Sequence, residues 1–231
     1  MEAIILAGGF GKRLRSIIQD VPKPMGEVAG KPFLFYILEN LKNKGFSKVI
    51  ISTYYLSEKI SEYFGEYFEN ISLEYIKDPF PLGTGGAIKN ALKLSTRNHI
   101  YVLNGDTFVD FDYQKMEALW RIHKKPIMVV KSINSEVNKI RYGTLKIENS
   151  LLKGFKEKNS YGDFINAGCY LLPKSFLDEW EEFKPFSFEK EHLEAKINNL
   201  KIFCYETKGL FIDIGIPDDF KCAQKLFKNK K

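Results

Sequence analysis

Residues 4–25, IILAGGFGKRLRSIIQDVPKPM, decide how this 231-residue chain is read. Ile4, Ile5, Leu6 and Ala7 form a short apolar run that stops at Gly8-Gly9. A β-branched pair followed by two glycines predicts a buried strand ending at a tight turn. Glycine lets a ligand approach the backbone closely, and successive N–H groups in such a turn form a concavity that holds anions. Gly11, Lys12, Arg13 and Arg15 follow, and Lys23 stands between Pro22 and Pro24. These cations can neutralise several phosphate charges, and a nucleoside triphosphate is one carrier of that charge density. Two other phosphate loops do not fit. A Walker loop would need a hydroxyl at Arg13 and a glycine at Leu6. A dinucleotide fingerprint would need a third glycine where Leu14 stands.

Working outward, the pattern alternates. Lys31-Pro32 opens a helix with Leu34, Ile37, Leu38 and Leu41 on one face, and Gly45 ends it. Lys48 to Thr53 is a buried strand, and Ile60, Tyr63, Phe64 and Tyr67 recur at helical spacing as core aromatics and aliphatics. A short strand covers Leu73 to Ile76. Pro81-Leu82-Gly83-Thr84-Gly85-Gly86-Ala87 forms a second glycine turn leading into a helix to about Leu94. His99 to Leu103 is a strand ending at Asn104-Gly105-Asp106; a helix over Asp112 to Lys124 and a strand over Ile127 to Lys131 follow. Such alternation predicts right-handed crossovers and a mainly parallel sheet covered on both faces, with ligands bound beyond the strands' carboxyl ends. From Tyr142 the pattern changes. Residues 143–147 and 151–156 pair around Asn149-Ser150, Phe164 to Leu172 is a longer strand, and helices cover Phe176 to Trp180 and Ser187 to Leu200. Strands over Ile202 to Glu206 and Phe211 to Ile214 precede a closing helix from Pro217, with Asp218 and Asp219 at its N-terminal dipole.

The formal charge is +6, with Lys225, Lys228, Lys230 and Lys231 gathered in a solvated tail. A basic balance favours anionic ligands. No basic stripe interleaved with aromatics stands outside the tail, so nucleic acid is not the expected partner. Cys169, Cys204 and Cys222 are odd in number and lack metal-ligand spacing. With no apolar leader at the start and no run of membrane-span length, a reducing cytoplasm is the expected setting. His99, His123 and His192 are scattered and expected to be structural or superficial. Asp106 and Asp213 are each an acid at or within an apolar run, where a lone charge is costly. Two carboxylates with phosphate oxygens suit magnesium, although Asp106 also suits a capping role.

Leu6 to Leu14 (LAGGFGKRL), followed by Pro22-Lys23-Pro24-Met25, resembles the signature of the sugar-1-phosphate nucleotidyltransferases. Ser16-Ile17-Ile18 stands where many relatives carry Pro-Leu-Thr, and molybdopterin nucleotidyltransferases share only the glycine-arginine half. The resemblance implies a Rossmann-like three-layer α/β/α, glycosyltransferase-A-like fold with a small inserted β-rich sugar-binding lobe. It is expected to be one domain over 1–231, with the nucleotide-binding half at 1–135 and the sugar-phosphate part and closing helix at 136–231. It also implies catalytic roles for Arg13, on the β- and γ-phosphates, and Lys23, on the α-phosphate. Leu6, Ala7, Gly8, Gly9, Gly11, Lys12, Gly83, Thr84 and Gly86 would bind the nucleotide, and Asp106 and Asp213 would hold Mg²⁺. Gly143, Glu157, Lys158 and Asn166 match the family's sugar-phosphate motifs; alone, Glu157-Lys158 is only a charged pair.

Pro81 to Ala87 is most similar to guanylyltransferases of manno-configured sugars, and the chain as a whole to bacterial D-glycero-D-manno-heptose 1-phosphate guanylyltransferases. Asp78 could accept from guanine N1–H and its 2-amino group, or be an ordinary Asp-Pro turn residue. The implied partners are GTP and a sugar 1-phosphate, feeding cell-surface glycan synthesis, and a homo-oligomer is compatible with the sequence. Competing readings are a mannose-1-phosphate guanylyltransferase, a uridylyl- or thymidylyltransferase on glucose 1-phosphate, and a non-catalytic nucleotide-sugar sensor. The sensor would tolerate loss of Arg13, Lys23, Asp106 or Asp213, and all four are present. A nicotinamide oxidoreductase would need the fingerprint that Leu14 breaks.

Overall fold

A computed structural model describes residues 1–9, 11–14, 17–18, 20–132, 144–156 and 162–228. The strands, in chain order, are β1 (Glu2–Leu6), β2 (Glu27–Val28), β3 (Lys31–Pro32), β4 (Lys48–Thr53), β5 (Tyr67–Phe68), β6 (Ile71–Lys77) and β7 (His99–Asn104). There follow β8 (Thr107–Val109), β9 (Ile127–Ser132), β10 (Thr144–Glu148), β11 (Leu151–Lys156), β12 (Phe164–Pro173), β13 (Phe203–Glu206) and β14 (Phe211–Asp213). The α-helices are α1 (Phe33–Asn43), α2 (Ser57–Phe64), α3 (Gly83–Ala91), α4 (Tyr113–His123) and α5 (Pro217–Lys228).

Ten strands form one sheet in the order β10-β11-β13-β9-β12-β7-β1-β4-β6-β5. The run β7-β1-β4-β6 is parallel, because α1, α2 and α3 return the chain to the same edge after β1, β4 and β6. The sheet as a whole is mixed, where the alternating pattern predicted mainly parallel pairing. β12 lies antiparallel between β7 and β9, and β10 pairs with both β11 and β12. Pairings β11–β13 and β9–β13 close five of the ten strands into a ring, which joins the parallel run through the β12–β7 pairing. The physical reason lies in the connections. Between β10 and β11 there is no crossover helix, only Asn149-Ser150 at φ +51° and +60°, the left-handed pair that a two-residue hairpin requires.

Alternate side chains of β1 and β4 feed two apolar layers: Ile5 and Ile51 pack on one face, Ile4 and Ile50 on the other. The first face is covered by α1, through Leu34, Ile37, Leu38 and Leu41, and by α4 and α5. On the second lie Ile88 and Ala91 of α3, with Phe186, Phe188 and Leu193. Among the described residues, no helix is long and apolar enough to cross a membrane.

Several local readings change. Lys31-Pro32 sits in β3 and α1 begins after it. Ile60 and Phe64 are buried, but Tyr63 and Tyr67 are 52% and 67% exposed. Gly65 ends α2 at φ +64°, so Tyr67 leaves the helical face for the edge strand β5. Residues 176–180 form turns rather than a helix. Residues 188–194 form a π-helical turn, capped by the Ser187 hydroxyl accepting from Lys190 N.

Candidate active site

The end of β1 leads into the glycine turn. Ala7 N donates to Ser52 O at 2.8 Å, carrying the β1–β4 pairing one residue further. A side chain on Gly8 would stand 3.3 Å from Tyr54 Cβ, whereas one on Gly9 would meet nothing within 4 Å. Gly11 has φ +58° and lies where a Cβ would come 3.2 Å from Lys23 Cβ. The loop thus folds over Lys23. Leu14 anchors it in the core, while Arg13 is exposed. The Lys12 side chain lies outside the described residues.

Lys23 is placed by proline. Pro22 precedes a single 3₁₀ turn, Lys23–Met25, closed by Met25 N to Pro22 O at 2.8 Å and Gly26 N to Lys23 O at 3.1 Å. The lysine side chain is only 9% exposed. Its ammonium donates to Asp106 Oδ2 and lies 3.8 Å from Asp213 Oδ1. Asp106 follows β7 at a tight turn, where Gly105 N donates to Leu6 O at 2.9 Å and a Cβ on Gly105 would lie 2.7 Å from that oxygen. Asp213 arrives through the antiparallel β8–β14 pair, which sets it opposite Thr107, and Ile214 N donates to Asp106 O at 2.9 Å. The acids are oriented by Thr107 Oγ1, donating to Asp106 Oδ1 at 3.3 Å, and by Gly215 N, donating to Asp213 Oδ1 at 2.6 Å. Among the described residues, no cluster of three or more histidine, cysteine or acidic side chains could hold a metal. Two carboxylates nevertheless suit a hard divalent cation that completes its shell with water and phosphate, and Lys23 shares them.

A cleft of about 310 Å³ opens beside this cluster, at the carboxyl ends of the parallel strands. Its walls are the Gly8-Gly9 turn with Leu6, Ser52 and Tyr54 at the end of β4, Asp78 after β6, the start of α3, and Asn104 with Asp106. Asp78 is 4% exposed and accepts from Asn90 Nδ2 at 2.9 Å, while burial raises its pKa above the usual carboxylate range. Ser52 is 1% exposed, and its hydroxyl has no hydrogen-bond partner among the described residues. Ser52, Tyr54 and Asn104 were not singled out from sequence; the only trace was a hydroxyl pair closing the apolar run of β4.

The second glycine turn has a different cause from the one its pattern suggested. Gly83 has φ +69° and its Cβ would fall 2.5 Å from Phe186 O. A Cβ on Gly85 would lie 2.0 Å from the Phe186 ring, and one on Gly86 2.7 Å from Lys184 O. Gly85 N donates to Phe186 O and Phe186 N to Leu82 O, at 3.0 and 2.9 Å. These glycines admit the crossing chain 184–188. Of the turn, Pro81, Leu82, Gly83, Thr84 and Ala87 also line the cleft, whereas Gly85 and Gly86 do not, and Ala7 points into the core.

Asn166 lies on β12 at a register shift against β9. Its Oδ1 accepts from Gly168 N at 3.0 Å and its Nδ2 donates to the Tyr170 hydroxyl. Gly168, at φ +67°, brings the bulge within 2.7 Å of Asn104 Nδ2 for a Cβ placed there. Gly143, Glu157 and Lys158 lie outside the described residues.

The nucleotidyl transferase family matches residues 2–230. The chain is 41% identical to D-glycero-alpha-D-manno-heptose 1-phosphate guanylyltransferase of Aneurinibacillus thermoaerophilus over 97% of either sequence. Against the enzyme of that name from Campylobacter jejuni, identity is 43% over 95% of this chain and 97% of the relative. The crystal structure of HddC from Yersinia pseudotuberculosis complexed with GMP-PN is 35% identical, with a TM-score of 0.86, over 98% of this chain and 99% of that one. A glycine turn over a proline-framed lysine, two strand-end acids and a match along nearly the whole length agree: the chain belongs to the nucleotidyl transferase family.

Proposed function

We propose that the protein transfers the guanylyl group of GTP to a sugar 1-phosphate, with D-glycero-α-D-manno-heptose 1-phosphate as acceptor. Similarity to two guanylyltransferases of that name over nearly their full length supports substrate and donor. The observation that carries the chemistry is Lys23, nearly buried, held against Asp106 and Asp213 at the mouth of the cleft.

A phosphate oxygen of the acceptor attacks the α-phosphorus in line and pyrophosphate leaves. The nucleophile is already an anion, so no general base is needed, and catalysis is positioning and charge neutralisation. Lys23 neutralises charge developing at the α-phosphate, and exposed Arg13, with Lys12 and Gly11, meets the β- and γ-phosphates. Leu6, Gly8 and Gly9, with Gly83 and Thr84, enclose base and ribose through backbone groups, while Ala7 and Gly86 pack behind those two turns. Asp78 has one oxygen left after Asn90 for guanine N1–H and the 2-amino group, and Ser52 offers a free hydroxyl on the same wall. Asp106 and Asp213 would hold magnesium, which when bound supplies further neutralisation of phosphate charge. On the acceptor side stand Gly143, Glu157, Lys158 and Asn166, the last with one amide hydrogen left for a sugar hydroxyl. Residues 1–135 then form the nucleotide side of a single domain, and 136–231, which supply β10 to β13 of the strand ring, the sugar-phosphate side.

The test is pyrophosphate release from GTP with heptose 1-phosphate and with mannose 1-phosphate, beside UTP, dTTP and CTP with glucose 1-phosphate. Faster turnover of any pyrimidine–glucose pair overturns base and sugar together; preference for mannose 1-phosphate overturns only the heptose.

A further inference from the structure

Glu189 has no role in the mechanism above, yet it lies where the two substrate sides meet. It stands on the π-helical turn, half-buried, and faces three hydroxyls. Thr84 Oγ1 donates to its Oε2 at 2.7 Å, Ser187 Oγ donates to the same oxygen at 3.4 Å, and the Tyr170 hydroxyl reaches Oε1 at 3.5 Å. Thr84 lines the nucleotide cleft. Tyr170 accepts from Asn166 Nδ2 on the β12 bulge, at 2.5 Å.

The polarity of this chain is set. Thr84 Oγ1 accepts from Phe188 N at 2.9 Å, and the Tyr170 oxygen accepts from Asn166. Each hydroxyl therefore has its hydrogen to give, and a group that only accepts satisfies both. Burial and the Glu189 charge keep the Tyr170 phenol protonated, so it remains a donor. A carboxylate is the acceptor-only side chain, and hydrogen bonds to it are stronger than neutral ones.

We propose that Glu189 is a positioning residue that ties the nucleotide turn at Thr84 to the acceptor strand at Asn166, through Tyr170, and so holds the two substrates in register. In-line transfer needs the attacking oxygen and the α-phosphorus at a set separation, and sub-ångström looseness costs rate. The kinetic part of this inference rests on the proposed guanylyl transfer; the structural part does not.

Two variants test it. Glu189→Gln replaces one acceptor oxygen with a donor, and Tyr170→Phe keeps the buried ring and cuts only the acceptor arm. Amide hydrogen exchange reads the tie without substrates. In Glu189→Gln, exchange should rise in 82–88 and 164–170 together; in Tyr170→Phe, in 164–170 alone. Steady-state kinetics read its use: Glu189→Gln should lower kcat about tenfold with both substrates saturating, because register is lost between bound reactants, and should raise KM for both GTP and the sugar phosphate, whereas Tyr170→Phe should raise only that for the sugar phosphate. Faster exchange in only one segment of Glu189→Gln, unchanged exchange in both, a wild-type kcat, or a change in a single KM overturns the proposal. If the wild-type protein turns over neither substrate, the proposed function fails and the exchange pattern alone decides the tie.

Discussion

Replacing Lys23 with methionine separates its two duties. The lysine side chain is 9% exposed, and its ammonium faces Asp106 and Asp213, whose side chains are 34% and 25% exposed. Methionine keeps the stem packed under Gly11 and between the prolines, so the backbone of the 3₁₀ turn has no reason to move. The two carboxylates lose a counter-ion, but both remain open to water. Screening therefore limits the stability loss to about 1 kcal/mol or less, a fall in Tm of about 2–4 °C for a chain of this size. The catalytic loss should be far larger. Removing one preorganised charge-stabilising contact at a reacting centre costs about 10²–10³ in kcat, or about 3–4 kcal/mol. Because the contact tightens as charge develops on the α-phosphate, kcat should carry the loss while KM for GTP changes by less than about threefold. The assay is initial-rate pyrophosphate release at saturating acceptor, with a thermal melt of each preparation. A kcat near that of the wild type, with KM for GTP raised a hundredfold, would show Lys23 to be a ground-state phosphate contact and refute the assignment.

Asp213→Asn should keep the fold, since Asn Oδ1 can still accept from Gly215 N. It should lose most turnover at limiting magnesium, and a near-normal rate there removes Asp213 from the cation site. The two glycine turns should answer oppositely to alanine. Gly85→Ala drives a Cβ to within 2.0 Å of the Phe186 ring and should cost about 1–3 kcal/mol, or about 2–12 °C in Tm. Gly9→Ala meets nothing and should leave Tm unchanged while raising KM for GTP; equal melts for the two variants refute this contrast. His192, fully buried, accepts from Trp180 Nε1 at 2.9 Å, and burial lowers its pKa to about 4. Its folded pKa lies below the unfolded value, about 6.5, so the neutral form's contribution is complete above pH 6.5. That contribution is lost as pH falls from 6.5 towards 4, by up to about 3 kcal/mol. Denaturant melts across that range should fall more steeply for the wild type than for His192→Gln, and parallel slopes would refute the linkage.

Features whose cause lies within a few neighbouring residues could be read from the chain. The buried strand stopping at Gly8-Gly9, the helical face of Leu34, Ile37, Leu38 and Leu41, and the hairpin at Asn149-Ser150 follow from side-chain period and turn chemistry. So does the expectation that Asp106 and Asp213 need a partner, because an acid in an apolar run must be compensated wherever it comes to lie. Which partner it has is decided by long-range pairing. The short β8–β14 ladder sets Asp213 beside Asp106, and the 3₁₀ turn after Pro22 brings Lys23 to both. Likewise, Gly83, Gly85 and Gly86 promise close approach without saying of what; the fold supplies residues 184–188 as well as the cleft. The insertion of β12 between β7 and β9, which makes the sheet mixed, and the meeting of Glu189 with Thr84 and Tyr170 leave no local signature. Sheet neighbours and strand direction are chosen by hydrogen bonds between distant segments, to which periods of two and 3.6 residues are blind.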